Sequence, residues 1–166
     1  VVRLLEDAFN PDAFTWLPGG TGMAYIAQVS HTSGRTQISV TDLEGTVLNQ
    51  IPKSASEFAG ILGLTFSPDG LWAAFGGKFI LPASATIRDI FVTDIGGGYV
   101  VNLTNYVGSN LAPIWSPRGD WIAFESDRTG DWDVYLVKPD GTQLINLTQN
   151  RASDDVSPAW RVVGSP

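Results

Sequence analysis

Cysteine is absent, and histidine and methionine occur once each. The first absence excludes a disulfide framework and thiol-ligated zinc, while leaving the cellular compartment open. With a single His31, no Cys and no G-x-S-x-G element, the nucleophile and base of a hydrolase cannot be assembled in the usual way from this chain. Basic residues are also few. Ten Lys and Arg stand against 17 Asp and Glu, for a net charge of -7. Such a surface is unsuited to neutralising phosphates, so nucleic acid is excluded as the expected partner. No apolar run approaches the roughly 18 residues of a membrane span, and the opening VVRLLEDAFNPDAF has neither a basic nor a hydrophobic leader region. Because residue 1 is Val, the expectation is a removed leader or a piece of a longer chain.

Glycine, proline and tryptophan are plentiful: 18, 10 and 6 in 166 residues. They recur in order. FTWLPGGTGMAYIA from Phe14, LTFSPDGLWAAFGG from Leu64 and PIWSPRGDWIAFES from Pro113 share one pattern. An aromatic (Trp16, Phe66, Trp115) precedes Pro by two residues (Pro18, Pro68, Pro117), and Gly follows two further on (Gly20, Gly70, Gly119). Ala24, Ala74 and Ala123 come next, each followed by an aromatic, Tyr25, Phe75 or Phe124. A fourth aromatic, Trp160, stands in SPAWRV. The second halves also align, as QISVTDLEGTVLNQI, DIFVTDIGGGYVVNLT and DVYLVKPDGTQLINLT from Gln37, Asp89 and Asp133.

Each unit reads as four short β-branched and aromatic strands separated by turn-forming PGG, PDG, PRG, LEG and GGG. The expected architecture is all-β, a β-propeller of four-stranded antiparallel blades at about 12–52, 61–104 and 111–148. Orphan strands are expected at 1–5 and 157–162. The inner strand carries the Trp or Phe, and the small Ala of the second strand lets neighbouring blades approach. Three blades make an arc rather than a ring, so further copies of the chain, other protein partners or a longer chain are expected to complete it.

TFSPDGLWAAF, IWSPRGDWIAFESDRTGDWDVYLVKPDGTQLINLT and SPAW resemble the repeats of the TolB-type propeller family, over about residues 12–162. The third unit matches at nearly every element; the second lacks the S-x-R-x-G segment and the first keeps less. The resemblance implies a propeller fold and an exported protein, periplasmic or extracellular. These repeats occur in periplasmic transport-linked proteins and in propellers that precede peptidase domains.

The expected function is a non-catalytic binding or scaffolding module for protein partners, with no cofactor. The alternative is the propeller of a longer hydrolase, gating its substrate. Candidate binding residues, chosen because connecting loops carry function, are Tyr106, Asn110, Arg151, Asp154 and Asp155. Phe79 and Leu81 join them from the long insertion KFILPASATIR at 78–88, whose apolar groups must cover their own blade or dock a partner. His31 reads as an exposed loop residue. Asp127, Asp131 and Asp133 lack calcium-loop spacing, so Asp131 and Asp133 are expected to bind backbone N–H groups or Arg128. The triplets at Asn102 and Asn146 match glycosylation acceptors, but their common repeat position points to a structural role.

Overall fold

A computed structural model describes residues 14–29, 34–51, 58–80, 87–149 and 153–161. Its strands form three separate four-stranded antiparallel sheets, each in sequence order. The first holds β1 (Phe14–Trp16), β2 (Gly22–Gln28), β3 (Thr36–Asp42) and β4 (Val47–Ile51). The second holds β5 (Phe58–Phe66), β6 (Trp72–Phe79), β7 (Asp89–Asp94) and β8 (Val100–Asn102). The third holds β9 (Asn110–Trp115), β10 (Ile122–Ser126), β11 (Asp133–Val137) and β12 (Ile145–Asn146).

The repeated residues do the repeated work. In each first hairpin the glycine two past the proline has positive φ, 68° at Gly20, 72° at Gly70 and 75° at Gly119. A side chain there would be strained, which is why the position stays Gly. These turns also join neighbours: a Cβ built on Gly119 would lie 3.4 Å from Pro68 of the preceding blade, and one on Gly70 would lie 3.7 Å from Pro18.

Period-two alternation gives each middle strand two buried faces, one for each neighbour. Ala24, Ile26, Ile38 and Val40 of the first blade pack with Phe58, Phe66, Phe75 and Phe91 of the second. Ala74, Ile90 and Val92 of the second pack with Trp115, Phe124 and Tyr135 of the third. A small alanine thus receives the next blade's inner aromatic at both junctions. Phe58 sits at the centre of the first, with ring centroids 5.3 Å from Phe75, 4.6 Å from Phe79 and 4.8 Å from Phe91.

Two strand expectations need correction. β5 starts at Phe58, earlier than the 61 expected, because Gly60 and Gly63 at φ 58° and 62° act as bulges within a continuing strand rather than as breaks. Residues 157–161 form no strand, since no ladder partner lies beside them among the described residues. They lie along the third blade instead. Ser157 N–H donates to Glu125 Oε1 at 2.7 Å, and Trp160 Nε1 donates to Ile114 O at 3.3 Å. The stretch 1–5 and residue 162 lie outside the described residues.

Candidate functional site

Up-and-down strand order places the β2–β3, β6–β7 and β10–β11 loops at one end, with the connectors from blade to blade. The P-x-G turns and the third hairpins occupy the other end. Tyr106, Asp154, Asp155 and the start of the 78–88 insertion therefore share the first of these ends, which we call the upper end.

The connector from the second blade to the third is built on Asp89, which is almost fully buried. Its Oδ1 accepts the Thr104 hydroxyl at 2.5 Å and the Tyr106 N–H at 3.0 Å, and its Oδ2 accepts the Asn102 amide at 3.0 Å. Asn102 Oδ1 in turn accepts the N–H groups of Thr104 and Asn105, both at 2.9 Å. These bonds hold Asn105 and Tyr106 at φ 53° and 61°, a left-handed conformation unfavourable for both side chains. The result is an outward Tyr106 ring, 44% exposed, beside Val107 at 50%.

The third blade repeats the device. Asp133 accepts the Thr148 and Thr129 hydroxyls at 3.0 and 2.9 Å and the Asn146 amide at 2.8 Å. Asn102 and Asn146 thus spend their amides on buried carboxylates, in keeping with the structural role expected of both triplets. The bonds described for Asp133 come from side chains.

Asn110 is not an exposed loop residue: it is fully buried in β9. Its amide donates to the carbonyls of Arg88, Val107 and Gly108 at 3.0, 3.2 and 2.9 Å, and its Oδ1 accepts Arg128 Nη2 at 3.1 Å. Every polar atom of the side chain is committed to the framework. Arg128 Nε also donates to Ser126 Oγ at 3.0 Å, and its guanidinium lies 4.9 Å from the Tyr135 ring centre and 5.7 Å from that of Phe124. Burial pushes its pKa down, with partial compensation from Tyr135 and Asp89. Gly108, at φ 66°, fits beneath it because a Cβ there would come within 2.8 Å of Arg128 backbone atoms.

Phe79 is half-buried, and its ring packs on Phe58 and, at 5.3 Å, on Phe91. At this residue the insertion covers its own blade. Leu81, Arg151 and His31 lie outside the described residues. Asp154 Oδ1 accepts Trp132 N–H at 3.1 Å, and Asp155 N–H donates to Trp132 O at 2.6 Å. Both aspartates tie this segment to the third blade; Asp154 is exposed and Asp155 is partly buried.

One cavity went unread in the sequence. About 490 Å³ in volume, it is lined by Arg128, Thr129, Asp131, Asp133, Tyr135, Leu144, Asn146 and Gln149. Asp131 Oδ2 is buried there without a hydrogen-bond partner. Among the described residues, no group of three or more His, Cys, Asp or Glu converges to hold a metal ion.

The acidic turns at the lower end have a structural use. The Ser67 hydroxyl donates to Asp69 Oδ1 at 2.5 Å, and Leu71 N–H donates to it at 3.0 Å. Together they hold the carboxyl below its ordinary pKa, the hydroxyl contributing most. A depressed folded-state pKa contributes stability above the unfolded value, and that stability is lost as pH falls through the folded one. Ser67→Ala is therefore expected to raise the Asp69 pKa in an NMR titration and to destabilise less in acid than at neutral pH.

Three similar sheets, stacked face to face with each inner aromatic seated on its neighbour's alanine, are consecutive blades of a β-propeller. The TolB beta propeller domain matches residues 11–165, and the chain belongs to that family. A TolB homolog of Chlorobium luteolum is 31% identical over 168 residues, covering 99% of this chain and 36% of that protein. A solved TolB-type protein of Agrobacterium tumefaciens superposes with a TM-score of 0.71 at 25% identity, over 89% of this chain and 50% of that one. A puromycin hydrolase superposes at 0.64 and 15% identity over 83% of this chain and 23% of its own, a likeness of fold alone. The chain thus spans about a third to a half of these TolB relatives.

Proposed function

We propose that the chain is a non-catalytic, protein-binding arc of an exported propeller, and that its upper end is the binding face. Membership of the TolB family supports a periplasmic or extracellular setting. The observation that carries the reading is Tyr106, an exposed aromatic held in a left-handed conformation by a buried carboxylate and a neighbouring amide. Strain of this kind, about 1–2 kcal/mol, persists where surrounding structure enforces it, and aromatic anchors dominate protein interfaces. Asp154, Asp155 and Phe79 belong to the same end, and Leu81 and Arg151 join them by sequence position alone.

Further blades of the same construction complete the ring. Trp16 is 59% exposed, whereas its repeat equivalents Phe66 and Trp115 are each 8% exposed because a preceding blade covers them. Propellers close at about four to eight blades, so that each such face is covered.

Photo-crosslinking tests the binding face. A benzoylphenylalanine at position 106 is expected to give a discrete protein adduct in cells, and one at Leu71, 59% exposed at the lower end, is not. Tyr106→Gly, which relieves the backbone strain, is expected to lose the partner without lowering the melting temperature. Equal adducts at both ends, or none, would overturn the reading. Light scattering tests completion by self-association: a stable 17.8 kDa monomer excludes it.

A further inference from the structure

The cavity beside Asp131 has a chemistry that the framework does not use. The equivalent position on the second blade holds an aromatic ring. There Phe91 stands in the place of Tyr135, and Phe79 from the insertion packs on it at 5.3 Å. On the third blade the corresponding ring carries Arg128 at 4.9 Å, and space remains between the β10–β11 loop and β12. At about 490 Å³ it lies within the roughly 300–1,000 Å³ of small-ligand pockets.

Its polar groups differ in what they have to offer. Arg128 turns Nε and Nη2 away to Ser126 and Asn110. Asp133 already accepts two hydroxyls and an amide, and the Asn146 amide reaches both Asp133 and the Tyr135 hydroxyl. Asp131 Oδ2 alone among the buried side-chain atoms of this wall has no partner. A buried carboxylate oxygen without a donor costs free energy that an incoming cation or N–H group would recover. Tyr135 and the half-exposed Leu144 supply an apolar wall of the kind along which the stem of a long basic side chain lies.

We propose that this cavity receives a lysine or arginine side chain of the protein partner, with Asp131 Oδ2 as acceptor and Tyr135 and Leu144 against its stem. The proposal rests on the protein-binding reading of the upper end and names the partner's chemistry there. An acidic chain of net charge -7 favours a basic counterpart, and the loop bearing Asp131 adjoins Asp154 through Trp132.

The test uses blocked tripeptides, acetyl-Ala-Arg-Ala-amide and acetyl-Ala-Lys-Ala-amide, against acetyl-Ala-Gln-Ala-amide, titrated into the labelled chain by NMR. At least one basic peptide is expected to shift the amides of Thr129, Trp132 and Gln149 and to weaken with added salt. The glutamine peptide is expected to leave them unmoved. Asp131→Asn should weaken binding about tenfold, a typical loss for a charge-assisted bond, with the melting temperature unchanged. Leu144→Trp, which fills the space and keeps the acid, should weaken it as well and preserves the test if Asp131→Asn fails to fold. Indifference to both substitutions, equal binding of the glutamine peptide, no shift with either basic peptide, or shifts centred on Leu71 would overturn the proposal. Crosslinking at position 106 does not depend on Asp131, so a partner captured there by the Asp131→Asn chain with undiminished affinity would leave the binding face standing and remove the basic pocket.

Discussion

Phe58→Ala is expected to cost about 3–5 kcal/mol, the usual range for truncating a buried phenylalanine. For a chain of this length that corresponds to a melting temperature lower by on the order of 10 °C. The reason lies in its place between blades. Phe58 is fully buried and touches the rings of Phe75, Phe79 and Phe91, all of the second blade, while belonging to the cluster that includes Ala24, Ile26 and Val40 of the first. Its removal leaves a cavity that rigid sheets on either side cannot close. Phe58→Leu, which retains part of the volume, should recover much of the loss. Urea unfolding of the three chains measures both steps. A loss below about 1 kcal/mol for the alanine variant would show that the blades do not depend on this junction.

Asp89→Ala is expected to destabilise by about 3 kcal/mol or more and to disorder the connector that presents Tyr106. The carboxylate takes donors from Thr104, Asn102 and Tyr106, two side chains and one backbone group that would be left without it. Bonds to a charged acceptor contribute about 1.5–3 kcal/mol each, and unpaired buried donors cost a similar amount. Asp89→Asn should fall between, since its oxygen can still accept while its amide opposes the Asn102 amide. Amide exchange at Tyr106 reports the local part of the effect and thermal unfolding the global part. Protection at Tyr106 unchanged in the alanine variant would mean that another group holds the left-handed turn. Asp133, built the same way, should behave alike at the end of the third blade.

How much could be read in advance follows the physics of the repeat. The aromatic, Pro, Gly and Ala positions were legible because each is demanded by a local rule: φ at Gly70 and Gly119, small size at Ala24 and Ala74, area at Phe66 and Trp115. Phe58 lay outside the blade expected from residue 61, and only the bulged pairing of β5 with β6 brings it in. Asn110 looked like a loop residue. Its burial comes from four contacts to Arg88, Val107, Gly108 and Arg128, none of which spacing announces. The Asp131 cavity was hidden for a related reason, since a void is the difference between what two blades place at one position. Phe79 packs at that position in the second blade, and Arg128 in the third.

The sequence by itself determined the all-β class, the blade as the repeating unit, the turns between strands and the acidic character of the surface. These follow from alternation, turn chemistry and composition, which act over a few residues at a time. The tertiary structure decided which polar residues belong to the framework and which face outward. Asn110 became structural, while Tyr106 and Asp131 were left with groups unspent. That division depends on which donors and acceptors meet across strands and blades, and such meetings are set by packing distant segments together.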